Sequence, residues 1–256
     1  MNMEARQTGA TKQTDDAKHR QSAVRQAIIL AGGRGERLRP LTDSMPKPLL
    51  PVAGRPVLEW QLMLLKKHGI EEVIICGHYL FEKIKGYFGD SWNSVNIKYL
   101  DEPVPLGTGG AIKNAENLID GTFLVVYGDT MLDMNIRKLV EFHQQHGCIA
   151  TITVHKTDHP EDSDLVEMHG SRVTKIIKKP HGIKGHGAIS KTSVFVLEPE
   201  ILKYVPERSD LEKDVLQPLV KKGQVAGYMT DEFIKDMGTH ERYKKVQGVF
   251  RGISKC

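Results

Sequence analysis

Hydrophobic positions along this chain follow two alternating rhythms. Short unbroken apolar runs stand at residues 27–30, 73–76 and 123–127, the last preceded by Thr122 in a strand over 122–127. Each is too short for a helix and too apolar for a sheet face open to water, which reads as buried strand. Between the runs the spacing becomes helical. Leu58, Leu62 and Leu65 recur at i, i+4 and i+7 behind Pro56 and end at Gly69, while Leu80, Ile84 and Phe88 mark one face of a second helix. Residues 96–100 read as strand and 110–119 as helix. Ile136, Leu139 and Val140 start a further helix that stops near Gly147, and residues 148–155 return as strand. Such βα alternation predicts a largely parallel sheet with helices on both faces.

Beyond residue 155 the texture changes. Runs at 165–169 and 173–178 flank Gly170-Ser171 like a hairpin, and residues 192–197 form another strand. Ser209 and Glu212 have capping-box spacing ahead of Val215, Leu216, Leu219 and Val220. Gly223 closes that helix, and Pro218 should bend or shorten it. Strands at 225–229 and 233–236 precede a last helix starting near Thr239. No internal repeat is visible. The pattern predicts an α/β fold, a Rossmann-like mixed sheet flanked by helices, as a single domain over residues 25–256. Its first half is expected at about 26–155 and its second at about 156–247. Residues 1–24 are polar with almost nothing to bury and are expected to be a disordered extension.

Composition narrows the classes of partner. Hydrophobic residues make up 39% and charged residues 27%, values typical of a soluble globular chain. The net charge of +4 suits small anionic substrates but does not argue for nucleic acid. No apolar run approaches the roughly 18 residues that span a membrane, and the start of the chain lacks a signal-peptide core. Cys76, Cys148 and Cys256 are odd in number and far apart, so neither a disulfide framework nor a zinc motif fits them. A reducing, cytoplasmic setting is expected.

The chemistry concentrates in one stretch. The strand at 27–30 runs into Ala31-Gly32-Gly33-Arg34-Gly35-Glu36-Arg37-Leu38-Arg39-Pro40-Leu41-Thr42, followed by Pro46-Lys47-Pro48. Glycines let backbone N–H groups approach phosphate oxygens, and the cations neutralise them. A P-loop would need Gly-Lys-Ser/Thr, and a dinucleotide fingerprint would need a third glycine at Leu38. Both are absent. Taken as bare chemistry, this is a different kind of triphosphate site.

The same residues resemble the signature of sugar-1-phosphate nucleotidylyltransferases. The resemblance implies a nucleotide-diphospho-sugar transferase fold, with a nucleotide-binding first half and a sugar-binding second half. It implies that Leu30, Ala31, Gly32, Gly33 and Gly35 wrap the triphosphate and that Arg37 and Lys47 hold its phosphates. Gly107-Thr108-Gly109-Gly110 resembles the loop that reads the base, and the missing side chain at Gly110 leaves space suited to a purine. Asp129, following a buried strand and Gly128, is expected to bind Mg²⁺ together with Asp236 of Asp236-Met237-Gly238-Thr239. Lys179 of Lys178-Lys179-Pro180 matches a lysine that touches the sugar 1-phosphate.

Asp158-His159-Pro160-Glu161-Asp162-Ser163-Asp164-Leu165-Val166 resembles a run of one subgroup of that family, the D-glycero-D-manno-heptose 1-phosphate guanylyltransferases. Two departures stand out. Lys178 replaces a usual glutamate, and Lys191-Thr192-Ser193 replaces a usual Asn-Ala-Gly. The partners implied are a nucleoside triphosphate, GTP first, and a sugar 1-phosphate, with homo-oligomerisation left open. Competing readings are transfer of another nucleotide, a non-catalytic nucleotide-sugar binder, and a Rossmann oxidoreductase. Zinc on His155, His159 and His169 is a weaker reading still, since their spacing suits no site.

Overall fold

The computed structural model describes residues 24–251 except 158 and 186; the expected extension at 1–24 lies outside them but for its last residue. The expected strands appear in order. β1 is Gln26–Leu30, and a small ribbon follows from β2 (Pro51–Val52) and β3 (Arg55–Pro56). β4 (Glu72–Gly77), β5 (Ser91–Trp92), β6 (Val95–Asp101), β7 (Phe123–Tyr127) and β8 (Thr130–Asp133) complete the first half. The second half holds β9 (Ala150–Thr157), β10 (Leu165–His169), β11 (Arg172–Ile177), β12 (Ala188–Leu197), β13 (Val225–Met229) and β14 (Phe233–Asp236). The helices are α1 (Val57–Lys67), α2 (Phe81–Phe88), α3 (Gly107–Asn114), α4 (Ile136–His146), α5 (Gln217–Lys221) and α6 (His240–Phe250).

One sheet of ten strands runs in the order β10-β11-β13-β9-β12-β7-β1-β4-β6-β5. β1 pairs in parallel with β4 and β7, as the βα alternation requires. β12 enters antiparallel between β7 and β9, which turns the parallel half into a mixed sheet. Along β1 successive side chains serve opposite faces. Ile28 packs in the core shared with Phe123, Phe195 and Leu211, whereas Ala27 and Ile29 pack with Leu58, Leu62 and Ile84. Both faces are dry, which explains why β1 has no polar alternation. β12 is the joint between the halves, and Phe195 on it is wholly buried.

Three details differ from the sequence pattern. The helix expected at 110–119 begins earlier, at Gly107, and ends at Asn114, with a short 3-10 turn at Glu116–Leu118. β8 has only four residues and carries no signal of its own; it pairs antiparallel with β14, in register from Asp236↔Thr130 to Phe233↔Asp133. The capping box at Ser209 and Glu212 does not form. Asp210 is the N-cap instead, its carboxylate accepting the Lys213 N–H at 2.7 Å. That helix opens as a π-helical turn at Leu211–Leu216 before α5. Pro218 has no N–H to give to a carbonyl four residues back, so the expected disturbance takes the form of a widened turn.

Truncating Phe195 tests whether the halves share one core. Phe195→Ala should lower stability by about 3–5 kcal/mol. Denaturant unfolding followed by fluorescence and by circular dichroism should show one shifted transition. Two separated transitions would mean that the halves unfold independently.

Candidate active site

The Gly-rich loop leaves the carboxyl end of β1 and borders a cavity of about 300 Å³. Leu30, Ala31, Gly32 and Gly33 form one wall, with Lys47 and Pro48 beside them. Gly107 and Thr108 stand across from them, and Tyr127 and Asp129 close the end of β7. This is the crevice outside the strand ends where ligands gather in open α/β sheets. Gly35 lines no part of it. Its φ of +70° and its lack of a Cβ let Lys47 pass, because a Cβ there would lie 2.9 Å from Lys47 Cγ.

Lys47 Nζ donates to Asp129 Oδ2 at 2.9 Å within the cavity wall. Asp129 Oδ1 has no hydrogen-bond partner among the described residues. The sheet brings the second carboxylate close. β14 pairs with β8 so that the Met237 N–H donates to the Asp129 carbonyl at 2.8 Å. Asp236 therefore sits next to Asp129 although the two are 107 positions apart in sequence.

Asp236 is already engaged. Arg242 Nη1 reaches its two oxygens at 2.8 and 2.9 Å, and the Gly238 N–H adds a bond at 2.9 Å. Burial would raise its pKa, but the Gly238 N–H and the Arg242 guanidinium hold it below the usual carboxylate range. Arg37 lies against the same turn, since a Cβ on Gly238 would stand 2.9 Å from Arg37 Nη2. Lys179 Nζ donates to the Asp162 carboxylate at 3.0 Å, and Arg242 Nη2 contacts the other oxygen of Asp162. Arg37, Asp236 and Lys179 thus form a charged cluster beside the cavity rather than in its wall.

These groups fit a divalent cation in part. Mg²⁺ is commonly held by one or two carboxylates plus substrate phosphates. Asp129, with one free oxygen, suits that role as it stands. Asp236 Oδ2 accepts from Arg242 alone and keeps a lone pair for a cation, so Asp236 could join with Arg242 in place. Among the described residues no group of three or more His, Cys, Asp or Glu is placed to hold a metal.

The base-reading expectation needs correction at two positions. Gly109 and Gly110 do not line the cavity. A Cβ on Gly109 would run into Ser209 Oγ, and one on Gly110 into the Glu207 carbonyl oxygen. Both glycines let α3 approach the 206–210 loop, so Gly110 leaves no room for a base. The polar group that does face the cavity here is Glu102, which the sequence did not single out. It is buried at 5% exposure, and Oε2 accepts the Leu106 N–H at 3.1 Å. Oε1 has no donor among the described residues. Burial pushes its pKa up, against the pull of the Leu106 N–H.

Behind Tyr127 lies a second group that the sequence only half signalled. Glu212 Oε1 accepts from Tyr127 Oη at 2.7 Å and from Lys191 Nζ at 2.8 Å. Lys178 Nζ pairs with Asp210 at 3.1 Å. Burial opposes ionisation of Glu212, but Lys191, Tyr127 and Lys178 together bring its pKa down to about 2. The two lysines flagged as departures therefore each have an acidic partner.

A glycine-rich βα loop, a lysine–aspartate pair at the strand ends and a flanking cation cluster define a site for joining phosphorylated substrates. Residues 26–249 match the family model described as Nucleotidyl transferase, and the chain belongs to that family. The D-glycero-alpha-D-manno-heptose 1-phosphate guanylyltransferase of Aneurinibacillus thermoaerophilus is 33% identical over 227 residues, covering 87% of this chain and 96% of that protein. The enzyme of that name from Campylobacter jejuni is 34% identical over 225 residues, with 85% and 96% covered. Among solved structures, HddC from Yersinia pseudotuberculosis superposes with a TM-score of 0.76 at 30% identity, covering 89% of this chain and all (100%) of that one. A second HddC structure holds GMP-PN. The α/β sheet expected from the sequence is the fold these structures share. Among the described residues no helix is long and apolar enough to cross a membrane.

Two substitutions separate packing from recognition. Gly110→Ala should cost about 1–3 kcal/mol by overpacking against Glu207 and Arg208. It should leave the ratio of rates among nucleoside triphosphates unchanged; a shifted ratio would return Gly110 to base reading.

Glu212→Gln strands the Lys191 ammonium and should cost about 3–5 kcal/mol. The Glu212 pKa is depressed on folding, so its stabilising effect is complete above the unfolded value and disappears as pH falls. The window runs from about 4.3 down towards about 2. Urea melts between about pH 5 and about pH 2.5 should show wild type losing this contribution while the Glu212→Gln variant does not.

Proposed function

We propose that this protein is a sugar-1-phosphate guanylyltransferase. It joins GTP to D-glycero-α-D-manno-heptose 1-phosphate and releases pyrophosphate. The relatives' names support the sugar and the nucleotide, and the observation carrying the base is the Glu102 carboxylate in the cavity wall. Guanine alone among the common bases places two adjacent donors, N1–H and the 2-amino group, on one edge. Uracil and thymine set a single N–H between two carbonyls, which a carboxylate repels. A buried acceptor left without its donors is costly, which gives such a contact discriminating power.

In the reaction, a phosphate oxygen of the sugar 1-phosphate attacks the α-phosphorus of the triphosphate. The P–O bond to the β-phosphate breaks and pyrophosphate leaves with its electron pair. The nucleophile is already anionic, so no general base is required. Positioning and charge neutralisation carry the catalysis. Backbone groups of Leu30–Gly33 border the triphosphate, Lys47 and Arg37 neutralise it, and Lys179 meets the sugar phosphate. Asp129 fixes the Lys47 ammonium and would hold Mg²⁺, with Asp236 as a second ligand. When bound, the ion neutralises phosphate charge and orients its oxygens. The intact set Arg37, Lys47, Asp129 and Asp236 favours catalysis over a purely binding role.

The test is a matrix of GTP, ITP, UTP, dTTP and CTP against heptose, mannose and glucose 1-phosphates, read by pyrophosphate release. GTP with the heptose phosphate should give the highest kcat/KM. ITP, which lacks the 2-amino group, should be about tenfold poorer or worse. Glu102→Gln should cut GTP use and erase the GTP-over-ITP preference. Preference of the wild type for a pyrimidine triphosphate would end the guanylyl assignment. Equal use of GTP and ITP would remove Glu102 from base reading.

A further inference from the structure

Asp162 holds an odd position for a surface residue. It ends the short turn Pro160–Asp162, and its side chain is 50% exposed. Yet each of its carboxylate oxygens is held by a different cation, Oδ1 by Lys179 Nζ and Oδ2 by Arg242 Nη2. Lys179 Nζ also takes the Asp162 carbonyl oxygen at 2.8 Å. Arg37 adds a third positive field, and Asp162 ionises below its usual range despite the opposing effect of burial.

Holding a turn does not call for this arrangement, because exposed ion pairs contribute only about 0–1 kcal/mol. Cations crowded together repel one another unless an anion lies among them. A phosphate monoester would satisfy the same donors better than a carboxylate does. It brings three acceptor oxygens and nearly two negative charges, against two oxygens and one charge. Arg242 is built for such a contact. Its guanidinium is fixed by both oxygens of Asp236 through Nη1, and Nη2 is left pointing at Asp162. At 20% exposure its side chain is well ordered by its surroundings yet reachable.

We propose that Arg242 is a further phosphate-binding residue, gripping the sugar 1-phosphate together with Lys179, and that Asp162 sits in that seat as an internal competitor which the substrate displaces. The proposal rests on the reading of the chain as a sugar-1-phosphate guanylyltransferase. Asp162 then keeps the empty cluster neutral, and arrival of the sugar phosphate is coupled to release of the 160–162 turn.

Two measurements test it. Steady-state kinetics with heptose 1-phosphate and GTP varied separately should show Arg242→Ala raising KM for the sugar phosphate by about tenfold or more. KM for GTP should stay within about twofold, and Arg242→Lys should recover part of the loss. Calorimetric titration with inorganic phosphate, the nucleotide cavity being filled with GDP, should show Asp162→Asn and Asp162→Ala binding about threefold tighter than wild type.

An unchanged sugar-phosphate KM in Arg242→Ala, or an equal loss for both substrates, would overturn the role of Arg242. So would a fall in the Mg²⁺ requirement with no change in sugar KM, which would make Arg242 only the counter-ion of Asp236. Weaker phosphate binding in both Asp162 variants would make Asp162 a support for Lys179 and end the competitor role. If the wild type releases no pyrophosphate with any substrate pair, the guanylyltransferase reading fails. The phosphate titration of the Arg242 and Asp162 variants still decides the seat in that case.

Discussion

The antiparallel pairing of β8 with β14 carries more consequence than its four-residue length suggests. It takes a segment from the far end of the chain and fixes it against the strand end that holds Asp129. The Met237 N–H to Asp129 carbonyl bond sets the register at the site itself. Because side chains alternate along a strand, a slip of one residue would turn Asp236 away from the cleft. The pairing is anchored by apolar packing nearby. Met131 and Met237 are wholly buried in a small core with Leu38, Val57, Tyr243 and Phe250. Leu38 is the residue after Arg37. One local packing unit therefore places the signature arginine, the late aspartate and the helix bearing Arg242.

A second constraint follows from that convergence. A site for two phosphorylated substrates must gather cations, and gathered cations destabilise an empty fold. This chain answers with internal anions: Asp129 on Lys47, Asp236 and Asp162 on Arg242, and Asp162 on Lys179. Each of these pairs keeps some contact with water. Glu212 differs. It is buried between Tyr127 and Lys191, and breaking that pair would strand a charge in a poor solvent. The partly exposed pairs lie at or beside the cavity, while the buried pair lies behind Tyr127.

How much of this was legible in the sequence depended on distance along the chain. The Gly-rich loop was readable as the border of a cavity because glycine order, charge order and strand are adjacent there. The strands of the parallel half were readable because both faces are dry. β8 was not, since Thr130-Met131-Leu132-Asp133 is strand only by virtue of a partner far along the chain. Gly110 was misread for a different reason. A missing side chain makes room for whatever is next to it, and the sequence does not say whether that is a base or the Glu207 carbonyl. Ser209 and Glu212 had the spacing of a cap, yet Asp210 takes the cap and Glu212 turns inward to Tyr127 and Lys191. Arg242 gave no signal, and Asp162 was noted only as part of its run, because their meaning lies in a contact across 80 positions.

The lysines at 178 and 191 show how a departure from a pattern should be weighed. Read alone, a lysine in place of a glutamate and another in place of an asparagine would suggest a sugar pocket losing its function. Random drift would leave such charges unpaired or expose them to water. Here Lys178 meets Asp210, and Lys191, its side chain largely enclosed, lies on Glu212 with Asp164 at 3.9 Å. An enclosed lysine persists only where an acid answers it, since desolvation of an unpaired ammonium would cost more than the fold can spare. The fold accommodates both lysines with acidic partners rather than leaving them as unpaired charges. It also leaves the second half with acceptor oxygens on Asp164 and Asp210 held in place by cations. Fixed carboxylates of that kind suit a polyhydroxylated ligand, whose hydroxyls can donate to them without changing the charge of the site.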